Sequence, residues 1–186
     1  MSIITTERLI LRPWQASDRE PFFRMSADPR VMEFMPALLT RDESDRLVDQ
    51  IDAHFRDHGF GPCAVELLSD RSFIGFVGLY IPRFQAAFTP CIEIAWRLAA
   101  TAWGQGLATE GARAMVSYAF RNLQLEELVS FTVPGNLRSR RVMEKLGMTH
   151  NPADDFDHPM LPPGHPMRRH VLYRMQRAEF ESMAHR

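Results

Sequence analysis

The chain has 186 residues, 45% of them hydrophobic and 24% charged, with a formal net charge of −1. That length suits one domain with its own core, and the near-neutral balance argues against nucleic acid or an anionic membrane as a partner. No apolar run approaches the ~20 residues of a membrane helix, and an acid and arginines interrupt the N-terminal apolar run, so neither a membrane span nor a signal peptide is read and a cytoplasmic location is expected.

In chain order, "TERLILRPW" alternates at Leu9, Leu11 against Ile10, Arg12 and predicts a strand ended by Pro13. Ser17 and Glu20 form a capping-box pattern for a helix carrying Phe22, Phe23 and Met25, and Thr40 with Glu43 form a second one. The second opens a helix whose Leu47, Ile51 and Phe55 recur on one face up to Gly59. "GPCAVELL", "SFIGFVGLYIP" and "PCIEIAWRLA" then read as an antiparallel meander. After "AWGQG" comes a helix with Ala108, Ala112, Met115, Val116 and Ala119 on one side. "EELVSFTVP" is a strand, Asn136 caps "LRSRRVMEKL" before Gly147, and "RRHVLYRMQ" is the last strand before a polar helical turn. The proline-rich "HNPADDFDHPMLPPGHP" reads as an ordered loop or lid. The expected fold is α/β (α+β): one domain over residues 1–186, with a mixed, mostly antiparallel twisted sheet of about six to seven strands flanked by helices.

Cys63 and Cys91 each sit in an apolar stretch and read as buried thiols of a reducing compartment, not as a disulfide or metal site. Gly104 and Gly106 stand directly before a helix, where the first amides lack internal partners and carry the positive end of the helix dipole. Glycine there lets the backbone approach a pyrophosphate closely. A P-loop is excluded because Leu107 and Ala108 follow where Lys-Ser/Thr is needed, and the spacing does not fit a dinucleotide fingerprint. From the glycines alone, phosphate binding and a plain turn both stay open.

The run Trp103-Gly104-Gln105-Gly106-Leu107-Ala108, with Thr109, Glu110 and Ala112, resembles the acyl-CoA signature Gln/Arg-x-x-G-x-G/A of the GNAT acyltransferase superfamily. "NLRSRRVMEKLGM" resembles that family's second motif, and "TERLILRPWQASDREPFF" its opening strand and helix. The likeness covers nearly the whole chain in order and is closest to the branch of ribosomal-protein N-terminal alanine and serine acetyltransferases. Trp103 departs from the usual Gln or Arg and reads as a packing residue under the loop.

The resemblance implies acetyl-CoA as co-substrate and direct transfer to a primary amine, either a protein N-terminus or a small-molecule amine. It implies contacts to the coenzyme from Gly104, Gln105, Gly106, Leu107, Ala108, Thr109, Asn136 and Ser139, and a pseudo-strand pairing of the pantetheine with Trp96, Arg97 and Leu98. Glu93, at the centre of an apolar strand, is the main candidate base, directly or through a water; an outward-facing strand carboxylate is the other reading. Where many family members carry a tyrosine acid, seven residues after the asparagine, this chain has Met143. Ser139 is the best remaining hydroxyl, Asn136 could hold a water or the coenzyme, and Tyr173 reads first as a half-buried strand residue.

His150, His158, His165 and His170 with Asp154, Asp155 and Asp157 lack metal-ligand spacing, so no metal is expected; their acids could instead attract a cationic amine. Met32, Phe34 and Met35 could wall the acceptor groove. Alternatives of the same fold are a drug or polyamine acetyltransferase and a non-catalytic acyl-CoA-binding module. A homodimer is what the family suggests.

Overall fold

The computed structural model describes residues 3–184, so Met1, Ser2, His185 and Arg186, the ends of the expected 1–186 domain, lie outside the described residues. The chain divides into two compact units, Met1–Tyr80 with Ala95–Met115, and Ile81–Ile94 with Val116–Arg186.

In the first unit, β1 (Ile4–Thr5) and β2 (Leu9–Arg12) pair antiparallel, and β2 pairs in turn with β3 (Pro62–Leu67). β3 pairs antiparallel with β4 (Phe73–Tyr80), and β5 (Glu93–Leu98) comes next in the sheet order. All four residues of β2 are buried, so its alternation separates two covered faces, not core from solvent. Arg12 is buried because its guanidinium meets Asp18, at 2.6 and 2.8 Å, and Glu66.

That ion pair changes the entry to α1 (Arg19–Ser26). Asp18, drawn inward by Arg12, accepts the Gln15 N–H at 2.8 Å and closes a 3₁₀ turn at Ala16–Asp18. The expected Ser17–Glu20 box is therefore not the cap; Glu20 pairs with Arg24 and Arg41 instead. The Thr40–Glu43 box does form at the start of α2 (Arg41–His58), which stops at Gly59. The buried stripe of α2 is Ser44, Val48, Ile51 and His54, with Leu47 beside it. Phe22, Met25, Val48 and Phe76 form the packed centre, and Trp14, Leu47, Phe73 and Ala95 lie against it. Leu107–Arg121 form α3, whose Gly111 faces Leu9 and Val77, each 3.4 Å from where a Cβ would sit.

In the second unit, β5 pairs in parallel with β6 (Glu127–Thr132) through Glu93↔Val129. β6 pairs antiparallel with β9 (Arg169–Gln176), which also pairs with the two-residue strands β7 (Thr149–His150) and β8 (Phe156–Asp157). The helices are α4 (Leu137–Leu146) and α5 (Arg177–Ala184). The fold is mixed α/β with a mostly antiparallel sheet, as the hydrophobic pattern implies; nine strands are found among the described residues, three of them only two residues long. The proline-rich segment is ordered around β8 and a 3₁₀ turn at Pro152–Asp154.

Candidate active site

Between β5 and α3 the backbone turns through Gly104 (φ +74°) and Gly106 (φ +79°), a region costly for residues with a Cβ. An added Cβ at Gly104 would meet nothing within 4 Å, and one at Gly106 only Arg8 Nη2 at 3.7 Å. Backbone conformation, not crowding, thus selects glycine, and the space over the loop stays open. The Gly106 carbonyl accepts from Glu110 N at 3.0 Å, so the helix begins there and the amides of Leu107, Ala108 and Thr109 lack intrahelical partners. Open space over the glycines, amides without intrahelical partners and the positive end of a fifteen-residue helix fit a pyrophosphate.

Arg8 braces this loop. Its Nη1 donates to the Gln105 carbonyl at 2.9 Å, while Nε and Nη2 meet Glu110 Oε2 at 2.7 and 2.6 Å. Glu110 Oε1 accepts from Thr6 Oγ1 at 2.6 Å and from the Arg8 amide at 2.8 Å. Burial opposes its ionisation, yet these bonds from Thr6 and Arg8 hold the Glu110 carboxyl below its ordinary range. The Gln105 side chain is turned back onto the Thr101 carbonyl at 3.0 Å, so Gln105 contributes backbone to the loop.

On β5, the three residues expected to pair with a pantetheine differ in what their peptide groups face. The Arg97 carbonyl lies against Gly75 of β4, so close that a Cβ at Gly75 would sit 2.1 Å from it. The Leu98 carbonyl accepts from the Trp103 indole at 2.9 Å. Trp96, one residue before Arg97, turns its peptide groups to the edge opposite Arg97 by strand alternation. Trp103, half-buried and expected to pack under the loop, occupies the Leu98 carbonyl.

Glu93 is half-buried, and burial pushes its carboxyl up to about 8. It has no hydrogen-bond or ion-pair partner among the described residues, while both oxygens still reach solvent. A carboxylate in this setting can take a proton from an ammonium near neutral pH. Neither Cys91 nor Cys63 is in a disulfide, and burial pushes their thiols up to about 11 and about 12 respectively.

Asn136 caps α4: its Oδ1 accepts from the Ser139 amide at 3.2 Å, and its Nδ2 donates to Thr132 Oγ1 at 3.0 Å and Ser139 Oγ at 3.1 Å. Both N–H groups of its amide are thus engaged within the protein. The Ser139 hydroxyl proton has no protein acceptor among the described residues, and the side chain is half-buried. Met143 is buried in the core. Tyr173, also buried, accepts from Arg140 Nε at 3.2 Å and donates to Glu144 Oε1 at 3.1 Å, so its proton is already committed.

The acids of the 150–168 segment are internally paired. Asp154 meets Arg174, Asp155 meets His150 at 2.7 Å, and Asp157 meets Arg168 and Arg169. They are spent on ordering the segment, which removes the argument that they attract a cationic amine. Among the described residues no three His, Cys, Asp or Glu side chains are grouped to hold a metal ion, and no helix is long and apolar enough to cross a membrane.

Sequence reasoning missed three features. The Arg8–Glu110 brace joins residues 102 positions apart, and no local pattern announces it. Phe84, Phe88, Phe131, Phe156, His158 and His170 form a ring cluster in the second unit, including Phe88–Phe156 at 4.7 Å and His158–His170 at 5.0 Å. The Arg97 guanidinium packs 5.5 Å over the Phe76 ring and 3.0 Å from Met35 Sδ. Its signal was alternation: Arg97 shares a strand face with Ala95, which lies against the core.

Residues 8–149 match the family described as the acetyltransferase (GNAT) domain. The chain is 32% identical over 175 residues to the FsC-acetyl coenzyme A-N(2)-transacetylase of Aspergillus fumigatus, covering 86% of this chain and 70% of that protein. Among solved structures, an acetyltransferase from Agrobacterium tumefaciens superposes with a TM-score of 0.76 at 27% identity, covering 95% of each chain. The ribosomal-protein-serine acetyltransferase structure from Vibrio cholerae, at 15% identity and a TM-score of 0.76 over 94% of this chain and 97% of that one, shares the fold.

Proposed function

The chain belongs to the GNAT acetyltransferase family, and from that premise we propose that it moves an acetyl group from acetyl-CoA directly to a primary amine. Family and relatives make it an acetyltransferase enzyme, so the non-catalytic reading is not carried forward. The observation that carries the proposal is Glu93, an unpaired half-buried carboxyl at about 8 whose oxygens reach solvent. That value matches the task of deprotonating an ammonium near neutral pH. The name of the Aspergillus relative, which cites acetyl coenzyme A and an N(2) position, supports nitrogen as the acceptor atom.

Acetyl-CoA supplies the acyl group as a thioester. The amides of Leu107, Ala108 and Thr109 hold the pyrophosphate, and the Trp96 peptide edge pairs with the pantetheine. Glu93 takes one proton from the ammonium, directly or through one water, and so frees the nitrogen lone pair that forms the N–C bond. As the C–S bond breaks, Ser139 Oγ–H donates to the sulfur and is reprotonated by the second proton that the acylated nitrogen sheds, a role for which Met143 and the committed Tyr173 are unsuited. Asn136 holds Ser139 in place.

The acceptor is a protein N-terminus or a small-molecule amine, drugs and polyamines included; likeness to the Vibrio ribosomal-protein enzyme rests on fold. Coenzyme A release with a panel of amines tests the reading. Amine-dependent release is expected, and release that ignores every amine would sink it.

A further inference from the structure

Arg97 is a cation set into an apolar wall without a counter-ion. Its Nη1 is sealed from solvent and has no hydrogen-bond partner. The one acceptor bonded to its Nη2 is the thioether of Met35, a weak one, at 3.0 Å, and its Cζ lies 5.5 Å from the centre of the Phe76 ring. No carboxylate forms an ion pair with it among the described residues. Arg12, by contrast, is matched by Asp18 and Glu66, and Arg177, whose Nη2 is likewise sealed, keeps Glu126 and the Phe120 carbonyl on its other nitrogens. A guanidinium desolvated without compensation costs stability and is retained where something else offsets it. Burial also depresses Arg97 to about 10, with no opposing charge to restore it.

We propose that Arg97 is an anion-binding subsite that receives a carboxylate of the acceptor, so that the enzyme acts on amines carrying a carboxylate group. The assignment rests on the acetyl-transfer reading above for its catalytic meaning, though the anion site stands on its own geometry. The planar fork of a guanidinium matches a carboxylate in two parallel hydrogen bonds. A single unpaired positive charge balances a monoanion, whereas a phosphate dianion would leave one charge uncompensated on an apolar floor. Met35 is the device that keeps the subsite closed until then. It lies half-buried in the 27–40 segment between α1 and α2, and an unbranched thioether can swing aside at little cost. The same stretch contains the Met32 and Phe34 expected to wall the acceptor groove.

The test uses matched acceptors that differ only in the carboxylate: glycine, 4-aminobutyrate and lysine against their primary amides. In at least one pair the carboxylate is expected to win by about tenfold or more in kcat/KM. In Arg97→Met, of similar reach, that preference is expected to fall below about twofold while the KM for acetyl-CoA stays unchanged; Arg97→Lys is expected to keep part of it. Equal rates across every pair, or a preference that survives in Arg97→Met, would overturn the proposal. A second readout does not need turnover. The Arg97 Nε–H resonance, identified by its loss in Arg97→Met, is expected to shift on titration with N-acetylglycine and to stay still with N-acetylglycinamide. A shift without turnover of any amine would uphold the anion site and sink the acetyl-transfer reading; no shift would overturn the anion site whatever the kinetics.

Discussion

Arg8 and Glu110 are joined by two contacts of 2.7 and 2.6 Å to the same carboxylate oxygen, and through Arg8 that pair reaches the carbonyl of Gln105 in the glycine loop. The loop proposed to receive the coenzyme is thus held from the strand β2 side by a charge pair, not only by its own turn. The Arg8 side chain is 45% exposed, which moderates its contribution. Arg8→Ala and Glu110→Gln should each raise the KM for acetyl-CoA about three- to tenfold, near 1 kcal/mol of binding, with kcat within about twofold. Saturation kinetics in acetyl-CoA at fixed amine check this; a lowered kcat with unchanged KM would assign the pair another role.

Glu93→Gln should lower kcat about a hundredfold, the usual scale for a general base, and leave coenzyme binding intact. In the native enzyme kcat/KM should rise with pH to a plateau past about 8, since only the ionised carboxylate accepts a proton. Stability runs the other way. The folded state keeps the Glu93 proton up to about 8 while the unfolded chain releases it near 4.5, so its contribution is full below 4.5 and lost as the pH rises to about 8. Thermal melts should show Glu93→Gln gaining on the native protein at pH 9 and not at pH 4.

Much of the fold was legible because it rests on local signals. The Thr40–Glu43 box, the Gly59 and Gly147 stops and the strand alternations all formed where the residues put them. The Ser17–Glu20 box does not form because Arg12, from another element, captures Asp18 and moves the cap two residues earlier, to Gln15. Of the proposed site, the glycine loop, Glu93 and Ser139 stand out in the sequence as candidates. Which peptide edge each β5 residue presents could not, since the Trp103–Leu98 bond and the packing at Gly75 exist only once the strands are assembled.

Arg12 carries the charge balance of a buried cluster, and its hydrogen bond to Asp18 raises its already high pKa further. Removing one member leaves the others buried and unmatched. Arg12→Ala should cost about 3–5 kcal/mol, read from urea unfolding. A loss below about 1 kcal/mol would mean that water or Arg71, 2.8 Å from Glu66, takes over its role.

His158 and His170 stand 5.0 Å apart in the ring cluster, and both resist protonation. Burial lowers His158, helped by repulsion from His170; burial lowers His170 against the pull of its bond to the Arg168 carbonyl. Their contribution to stability is present above the ordinary value of 6.5 and lost as the pH falls below it. Hydrogen exchange at 156–172 should therefore quicken as the pH falls from 6.5, after correction for intrinsic rates, and His158→Phe with His170→Phe should flatten that dependence.

The two cysteines bear on how this enzyme can be watched at work. Both are held protonated far above neutrality, Cys63 inside β3 and Cys91 just before β5, so neither offers a thiolate to an electrophile at pH 7. A chromogenic disulfide added to the reaction therefore meets a silent protein. The colour it develops counts turnovers, one coenzyme thiol at a time.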